Sequence, residues 1–120
     1  MPTSNDTLKD HLSRYRQLTI TVTGRKSGRP ISNPVWFVFE NGTIYLLPVR
    51  GSETQWYKNA LKDPKIHVEA RDAEADLKLK TVTDAEQVRS VVEKFREKYG
   101  AGDVKKYYSK FDVAFTAAVQ

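Results

Sequence analysis

The chain has 120 residues, of which 39% are hydrophobic and 29% charged, and it contains no cysteine. This balance is typical of one globular domain over residues 1–120 and excludes a disordered chain. No apolar run reaches the roughly 20 residues that a membrane-spanning helix needs, and the lack of cysteine excludes disulfides and thiolate nucleophiles. Because the first residues also lack the apolar core of a signal peptide, we expect a cytoplasmic location.

The net charge of +5 comes from one part of the sequence. Between Arg14 and Lys58 there are seven basic and two acidic residues, whereas the rest of the chain has 13 of each. A local excess of positive charge favours an anionic partner, because the summed field of neighbouring cations attracts anions. The charge pattern therefore predicts a binding surface for an anion within this segment.

The hydrophobic periodicity predicts six strands and four helical segments. Strands are predicted over residues 17–23, 30–40, 43–49, 65–71, 75–82 and 111–119, and helical segments over residues 6–15, 52–62, 84–99 and 103–109. Asn41-Gly42 is a strong signal for a two-residue hairpin. Capping boxes at Ser52/Gln55 and Thr83/Glu86 predict where two of the helices begin.

The second predicted strand is apolar on both faces near its end. Val35, Phe37 and Phe39 alternate with Trp36 and Val38, so both sides of the sheet need apolar cover. This pattern fits a barrel wall covered by helices or by a second subunit, and it permits a homodimer. The sequence predicts a mainly β, α+β fold: a six-stranded, partly open antiparallel barrel with flanking helices.

A short basic segment lies between the first two predicted strands. Residues 23–30 read Thr-Gly-Arg-Lys-Ser-Gly-Arg-Pro, with three cations and no acid. Gly24 and Gly28 allow a turn that points several backbone N–H groups to one side, where they form a concavity for an anion. The charges that would surround it are those of Arg25, Lys26 and Arg29. The segment is a candidate phosphate site, and the alternative is a solvated hairpin turn that happens to be basic.

Two further positions carry weaker signals. Arg50 directly precedes the helix predicted after Gly51, and a helix N-terminus carries partial positive charge, so an anion could dock there as well. His67 and Glu69 share the polar face of one strand, but two groups do not make a metal site. The sequence therefore predicts no metal centre.

Several ordered motifs at characteristic spacing carry a resemblance to a known family. The basic segment is followed by Asn33-Pro34, Arg50-Gly51, Trp56-Tyr57-Lys58-Asn59 and Asp63-Pro64. Together these motifs resemble the deazaflavin-dependent nitroreductase family of flavin and deazaflavin oxidoreductases. The resemblance is specific over residues 18–68 and is a general pattern after that. It implies a split β-barrel of the FMN-binding type.

The resemblance also implies a cofactor and the residues that bind it. The cofactor is the deazaflavin coenzyme F-420, with its phosphate or oligoglutamate tail on Arg25, Lys26, Ser27, Gly28 and Arg29. Its ring is expected near Asn33, Pro34 and the backbone of Val49, Arg50 and Gly51. Trp56 and Asn59 are expected to frame the pocket.

The implied activity is hydride transfer from reduced F-420 to a small organic acceptor such as a quinone, an enone or a nitroaromatic. For such chemistry the protein supplies position, electrostatics and exclusion of water, which agrees with the lack of a catalytic triad in the sequence. Tyr99 and Tyr107 are candidate proton donors to the reduced substrate. The tyrosines before the last strand depart from the pattern of family members with nitro- or quinone-reducing pockets, so the acceptor itself is not implied.

Three alternative functions agree with part of this interpretation. The same phosphate segment could hold FMN in an oxidoreductase, or a flavin-like cofactor in a non-catalytic carrier. A nucleic-acid-binding barrel would stack bases on Trp36, Tyr45 or Trp56. Because the cations form a tight loop and not a long track, no nucleic-acid partner is predicted.

The amount of positive charge favours F-420 over FMN. Both cofactors carry a phosphate, but F-420 continues past it into several glutamates and needs an open, cationic exit. The local excess of +5 exceeds what one phosphate requires. Arg14, Arg16 and Lys58 are the residues expected to flank this exit.

Overall fold

The computed structural model describes residues 10–12, 14–70 and 73–119, in which strands alternate with helices. Residues 10–12 and 14 are helical. The later elements are strands β1 (Gln17–Thr23), β2 (Pro30–Glu40) and β3 (Thr43–Leu46), a 3-10 turn (Gly51–Glu53), helix α1 (Gln55–Lys62), strands β4 (Lys65–Ala70), β5 (Ala73–Lys78) and β6 (Lys80–Val82), helices α2 (Ala85–Tyr99) and α3 (Ala101–Tyr107), and strand β7 (Ala114–Ala118). No helix within the described ranges is long and apolar enough to span a membrane.

The strands form one sheet with the order β5-β4-β1-β2-β3-β7-β6. Every neighbouring pair is antiparallel. Strand β2 joins the two halves, because its residues 30–36 pair with β1 and its residues 37–40 pair with β3. The sheet curves into a half-barrel with flanking helices, so the predicted antiparallel α+β architecture is confirmed at this level.

The predicted number of six strands is wrong, because the described residues contain seven. The segment expected as one strand over residues 75–82 breaks at Leu79, whose side chain is buried and whose amide donates to the Pro64 carbonyl oxygen at 2.9 Å. Before the break, β5 pairs with β4; after it, β6 pairs with β7. The break lets one continuous segment serve both halves of the sheet.

The two faces of β2 contact two different hydrophobic cores. Phe37 lies in the core inside the half-barrel, which α1 closes with Trp56 and Tyr57. Val38 lies in a second core on the other side of the sheet, where it packs with the apolar residues of α2. The apolar cover predicted for both faces of this strand is therefore supplied by helices of the same chain.

Several predicted boundaries agree with the structure. Strands β1 and β2 have the predicted bounds. Asn41 and Gly42 have φ angles of 53° and 75° and form the predicted two-residue hairpin between β2 and β3. Of the helix predicted over residues 6–15, residues 10–12 and 14 are helical and residue 15 is not, whereas residues 6–9 and 13 lie outside the described residues.

Both predicted capping boxes are wrong. Helix α1 begins at Gln55 with Thr54 as its N-cap, and Ser52 instead donates its hydroxyl and its amide to the Asp112 carboxylate. Helix α2 is capped by Asp84 and not by Thr83, since the Asp84 carboxylate accepts from the Gln87 amide at 3.1 Å. An aspartate one residue later competes successfully with the threonine, as both are good N-cap residues.

Three other elements differ in their bounds from their predictions. Strand β3 ends at Leu46 and not at residue 49: Leu47 packs in the second core, and Pro48 has no N–H for a ladder. Strand β7 begins at Ala114 and not at residue 111. Helix α3 covers Ala101–Tyr107 and not residues 103–109.

Candidate cofactor site

The basic loop (residues 24–29) forms a single closed turn between β1 and β2. The Gly28 amide donates to the Gly24 carbonyl oxygen at 2.9 Å, and the Gly24 amide donates to the Arg29 carbonyl oxygen at 2.8 Å. Gly28 has a φ of 71°, which favours glycine. Within the described part of the chain, the amides of Lys26 and Ser27 donate to no acceptor. They are free to bind an anion.

Arg25 is anchored to helix α1 and does not extend into solvent. Its backbone amide and its Nη1 donate to Oδ1 of Asn59 at 3.1 and 2.7 Å, and its Nη2 donates to Oε1 of Gln55 at 2.8 Å. Lys62 donates from its Nζ to the Arg25 carbonyl oxygen at 2.9 Å. Asn59 is buried, so this contact fixes the loop against the helix. Because the acceptors are neutral amides, the charge of Arg25 is retained.

Lys26 and Arg29 are exposed, and neither has an acidic partner among the described residues. An open concavity of about 500 Å³ lies beside Lys26, whereas Arg29 is not among the residues that line it. Its wall consists of Thr23 at the end of β1, residues 24–28 of the loop, Lys62 at the end of α1, and Asp63, which follows that helix. The arrangement of free amides, a serine hydroxyl and cations can bind a phosphate group.

The second predicted anion position, at Arg50 and Gly51, is filled by a carboxylate of the protein itself. Oδ1 of Asp112 accepts from the Ser52 amide at 2.9 Å, Oδ2 accepts from the Ser52 hydroxyl at 2.5 Å, and Nζ of Lys110 lies 3.7 Å from Oδ2. Burial alone would raise the pKa of Asp112, but the hydrogen bonds from Ser52 and the Lys110 charge outweigh it and lower the pKa. A Cβ on Gly51 would meet this carboxylate. The site therefore does not fit a further phosphate.

The residues predicted to surround the ring are not brought together by any contact among the described residues. On β2, Asn33 lies opposite Ile20 on the interior face, whereas Pro34 lies opposite Thr19 on the outer face. Their side chains therefore point to opposite faces of the sheet. Val49 is exposed at 42% and its carbonyl oxygen accepts from the Ser109 amide.

Trp56 and Asn59 have different environments although both belong to α1. Trp56 is 7% exposed and packs against Phe115, with ring centroids 5.6 Å apart, so it belongs to the interior core. Asn59 faces the basic loop and holds Arg25. Neither residue lines the concavity beside the loop.

The Tyr99 hydroxyl occupies the position where the β1–β2 ladder ends. It lies 2.6 Å from the carbonyl oxygen of Arg16 and 2.8 Å from that of Phe37, and it accepts from the Phe37 amide at 3.0 Å. These backbone groups would form the next ladder pair if β1 began one residue earlier. Burial raises the pKa of Tyr99 to about 12. This geometry gives the hydroxyl an architectural role and offers no support for its role as a proton donor.

Tyr107 and Trp36 belong to an aromatic group on the outer side of the sheet. Trp36 stacks on Tyr99 with ring centroids 4.2 Å apart, and Tyr107 contacts the edge of Trp36 at 5.5 Å. Tyr107 is 51% exposed. Of the two tyrosines predicted as proton donors, only Tyr107 presents its side chain to solvent.

Sequence reasoning missed four residues that shape these sites. Gln55 and Lys62 hold the basic loop, Asp112 fills the Arg50–Gly51 position, and Lys98 donates to the carbonyl oxygens of Phe37 and Tyr15 at 2.8 and 3.2 Å. The sequence does contain a signal for Gln55 and Lys62, because these two residues and Asn59 are spaced i, i+4, i+7 and share one face of α1. The other two depend on contacts between distant parts of the chain.

Three solved structures show the same fold. An F-420-H2 dependent reductase (FDR-A) is 21% identical, with a TM-score of 0.66 over 85% of this chain and 93% of that chain. HutZ, the heme storage protein of Vibrio cholerae, is 16% identical, with a TM-score of 0.71 over 95% and 88%. A putative pyridoxamine 5'-phosphate oxidase from Listeria innocua is 14% identical, with a TM-score of 0.70 over 97% and 93%. The half-barrel is thus a split barrel shared by proteins of different function.

A family model described as "Uncharacterized protein conserved in bacteria (DUF2255)" matches residues 9–118. The match covers almost the whole chain, including both halves of the sheet and the basic loop. The chain belongs to the DUF2255 family.

Proposed function

We propose that this protein is an oxidoreductase that binds reduced F-420 and transfers a hydride to a small organic acceptor such as a quinone, an enone or a nitroaromatic. The observation that carries the proposal is the basic loop, with two free amides and the unpaired charge of Lys26 at an open concavity, and with the unpaired charge of Arg29 at the end of the same loop. The shared fold with an F-420-H2 dependent reductase and the motif resemblance over residues 18–68 support the same cofactor class.

The loop residues divide into two groups in this proposal. Lys26, Ser27 and Arg29 bind the phosphate through charge-assisted hydrogen bonds, which contribute about 1.5–3 kcal/mol each. Arg25 positions the loop against α1 while its positive charge adds to the local potential. Gly28 allows the turn that leaves the amides of Lys26 and Ser27 on one side.

The proposed exit for the glutamate tail lies next to α1. Lys62 lines the concavity and Lys58 lies one turn before it on the same helix. Arg14 and Arg16, which were also expected there, precede β1 and lie at the opposite end of that strand. Seven residues at about 3.3 Å each place them roughly 20 Å or more from the loop. Lys58 and Lys62 are therefore the proposed contacts of the tail.

When bound, a reduced deazaflavin supplies the hydride, and the protein supplies the binding surface and the exclusion of water. Tyr107 is retained as a candidate proton donor because its side chain is exposed at 51% beside Trp36. Tyr99 is not retained, since its hydroxyl is committed to the backbone of β1 and β2.

An FMN-binding oxidoreductase is the second candidate. The shared fold with a putative pyridoxamine 5'-phosphate oxidase favours it, and the basic loop alone fits the phosphate of either cofactor. The cations of α1 distinguish the two, because FMN ends at its phosphate and has no use for Lys58 and Lys62. A carrier without catalysis is a third outcome, in line with the shared fold of the heme storage protein.

The test is calorimetric titration of the ligand-free protein with F-420, FMN and haem at low and at high salt. We expect F-420 to bind most tightly and to weaken as salt rises, because exposed charges are screened within about 8 Å at physiological ionic strength. Tighter binding of FMN, with no effect of salt on F-420, would favour the second candidate. Preferential binding of haem would contradict both.

A further inference from the structure

A group of one histidine and three carboxylates lies on the outer face of β4 and β5, away from the basic loop. His67 is opposite Asp76 in the ladder, and Glu69 is opposite Glu74. One potential ligand atom from each of His67, Glu69 and Glu74 lies within 4.8 Å of those from the other two. The sequence showed only His67 and Glu69 as a pair, and β5 adds the two further carboxylates.

The imidazole of His67 is oriented by Asp76. The Nδ1 of His67 lies 2.8 Å from Oδ1 of Asp76. When Nδ1 carries the proton and donates to this carboxylate, the Nε2 lone pair is left free on the other side of the ring. Carboxylate–histidine pairs of this kind orient the ring and raise the basicity of the nitrogen that binds a metal.

The free nitrogen of His67 points toward Glu74 at the separation expected of two ligands. Nε2 lies 3.4 Å from Oε1 of Glu74. Two ligands that are each about 2.1 Å from a tetrahedral zinc ion lie about 3.4 Å from one another. When the proton of a neutral His67 is on Nδ1, both of these atoms are hydrogen-bond acceptors, so they repel unless a proton or a metal ion lies between them.

The negative charge of this group is not balanced by cations among the described residues. Within the described part of the chain, no lysine or arginine forms an ion pair with Glu69, Glu74 or Asp76, and His67 is the one group that contacts two of them. Glu69 and Glu74 form a directly opposed pair of like charge, which destabilises an antiparallel ladder. Among the described residues of β4 and β5, Lys65 and Lys78 are the cations nearest to the group, and they are opposite each other two residues further along.

The geometry points to a site for a divalent transition-metal ion, with His67, Glu69 and Glu74 as ligands and Asp76 as the residue that orients His67. An imidazole with two carboxylates suits zinc and similar ions, whereas magnesium and calcium favour oxygen ligands alone. The bound ion would tie β4 to the edge strand β5 and remove the repulsion between the two glutamates. The site does not depend on the proposed cofactor or its reaction.

The test is calorimetric titration of chelator-treated protein with Zn²⁺ and with Mg²⁺, together with the thermal unfolding temperature in each. We expect one Zn²⁺ per chain, a higher unfolding temperature with Zn²⁺, and little response to Mg²⁺. His67→Gln and Glu74→Gln should each weaken zinc binding about tenfold or more, and Asp76→Asn should weaken it less. All three positions lie on the sheet surface, so the variants are expected to fold.

The matched control is Glu97→Gln, which removes an exposed glutamate from α2 and should leave zinc binding unchanged. Ring-nitrogen NMR of His67 adds a direct readout, since zinc should shift its Nε2 signal. If zinc does not bind, or binds equally well to His67→Gln, the inference is overturned. His67 would then serve only to link Asp76 and Glu74 through its two ring nitrogens.

Discussion

At the scale of single residues, the basic loop separates one anchoring arginine from two free cations. The sequence predicted Arg25, Lys26 and Arg29 as equal phosphate ligands, because nothing in eight residues distinguishes them. The distinction comes from Asn59 and Gln55, which lie 34 and 30 residues after Arg25 in the sequence. Of the three cations of the loop, their side chains bind Arg25 and neither of the other two. Local patterns therefore predicted a basic loop between the first two strands but not how its charges are divided.

Tyr99→Phe should destabilise the protein without removing cofactor binding. The variant leaves the Phe37 amide without its acceptor in a buried position, and an unsatisfied buried donor costs about 1–3 kcal/mol. Chemical unfolding of the variant measures this loss. The control is Tyr107→Phe, whose hydroxyl has no hydrogen-bond partner among the described residues and whose loss should leave stability nearly unchanged. Equal stability of both variants would contradict the role assigned to Tyr99.

Lys98 should make stability depend on pH in a predictable direction. Burial, reinforced by the charge of Arg16, lowers the pKa of Lys98 from 10.5 to about 8. Between these two values the unfolded chain binds a proton that the folded protein has lost, so stability rises with pH. This contribution is present above the unfolded pKa and is lost as the pH falls through the folded one.

The measurement is the free energy of unfolding of the wild type and of Lys98→Met between pH 7 and pH 9.5. The wild type should gain stability relative to the variant as the pH rises. Tyr99, whose pKa is raised from 10.0 to about 12, has the opposite effect but only above this range. A difference between the two proteins that does not change with pH would contradict the assignment.

At the scale of elements, helix α1 acts as the support of the basic loop. Its residues Gln55, Asn59 and Lys62 face the loop, while Trp56 and Tyr57 face the core. The apolar side of this helix could be predicted from spacing alone. The polar side also has a regular spacing, but its partner could not be identified before the fold placed the loop beside it.

Asn59→Ala should weaken cofactor binding although residue 59 does not line the concavity. The variant removes the acceptor of two Arg25 donors from a buried position, at a cost of about 1–3 kcal/mol in stability. The loop is then less well positioned and must be ordered on binding. Unfolding and titration with F-420 measure the two effects. Gln55→Ala is the control, because it removes one exposed contact and should have a smaller effect on both.

Caps and strand ends were the least predictable features, because they depend on long-range partners. Ser52 has the spacing of a capping residue, but its hydroxyl and its amide donate hydrogen bonds to Asp112, which lies 60 residues away. Strand β7 starts late for a related reason, since Lys110 and Asp112 turn toward the Arg50–Ser52 segment before the strand begins. No local pattern encodes such a contact.

At the scale of the whole molecule, the half-barrel has one core inside the sheet and another outside it. The alternation of apolar residues along β2 predicted both. It could not decide whether helices or a second subunit covers the outer face, and α2 fills that role for Val38. The apolar pattern of β2 therefore does not require a dimer, and the homodimer stays a prediction that molecular mass in solution can test.

Trp56→Ala should destabilise the whole domain. The indole is 7% exposed and joins α1 to β7 through Phe115, so its loss should cost about 3–5 kcal/mol. Chemical unfolding measures this cost, and titration of the folded variant with F-420 measures the effect on the site. We expect affinity to change little, because Trp56 faces the core. A large loss of affinity with little loss of stability would instead place the indole in the cofactor pocket.

The most direct test of the central claim is the dissociation constant of F-420 for the wild type, Lys26→Ala, Arg29→Ala and the control Lys105→Ala, measured in one buffer by titration. Each loop variant should lose about tenfold or more in affinity, because a charge-assisted contact to phosphate is worth about 1.5–3 kcal/mol. Lys105→Ala removes an exposed cation from α3 and should bind as the wild type does. Equal affinity of all four proteins would contradict the account and leave the basic loop a solvated turn.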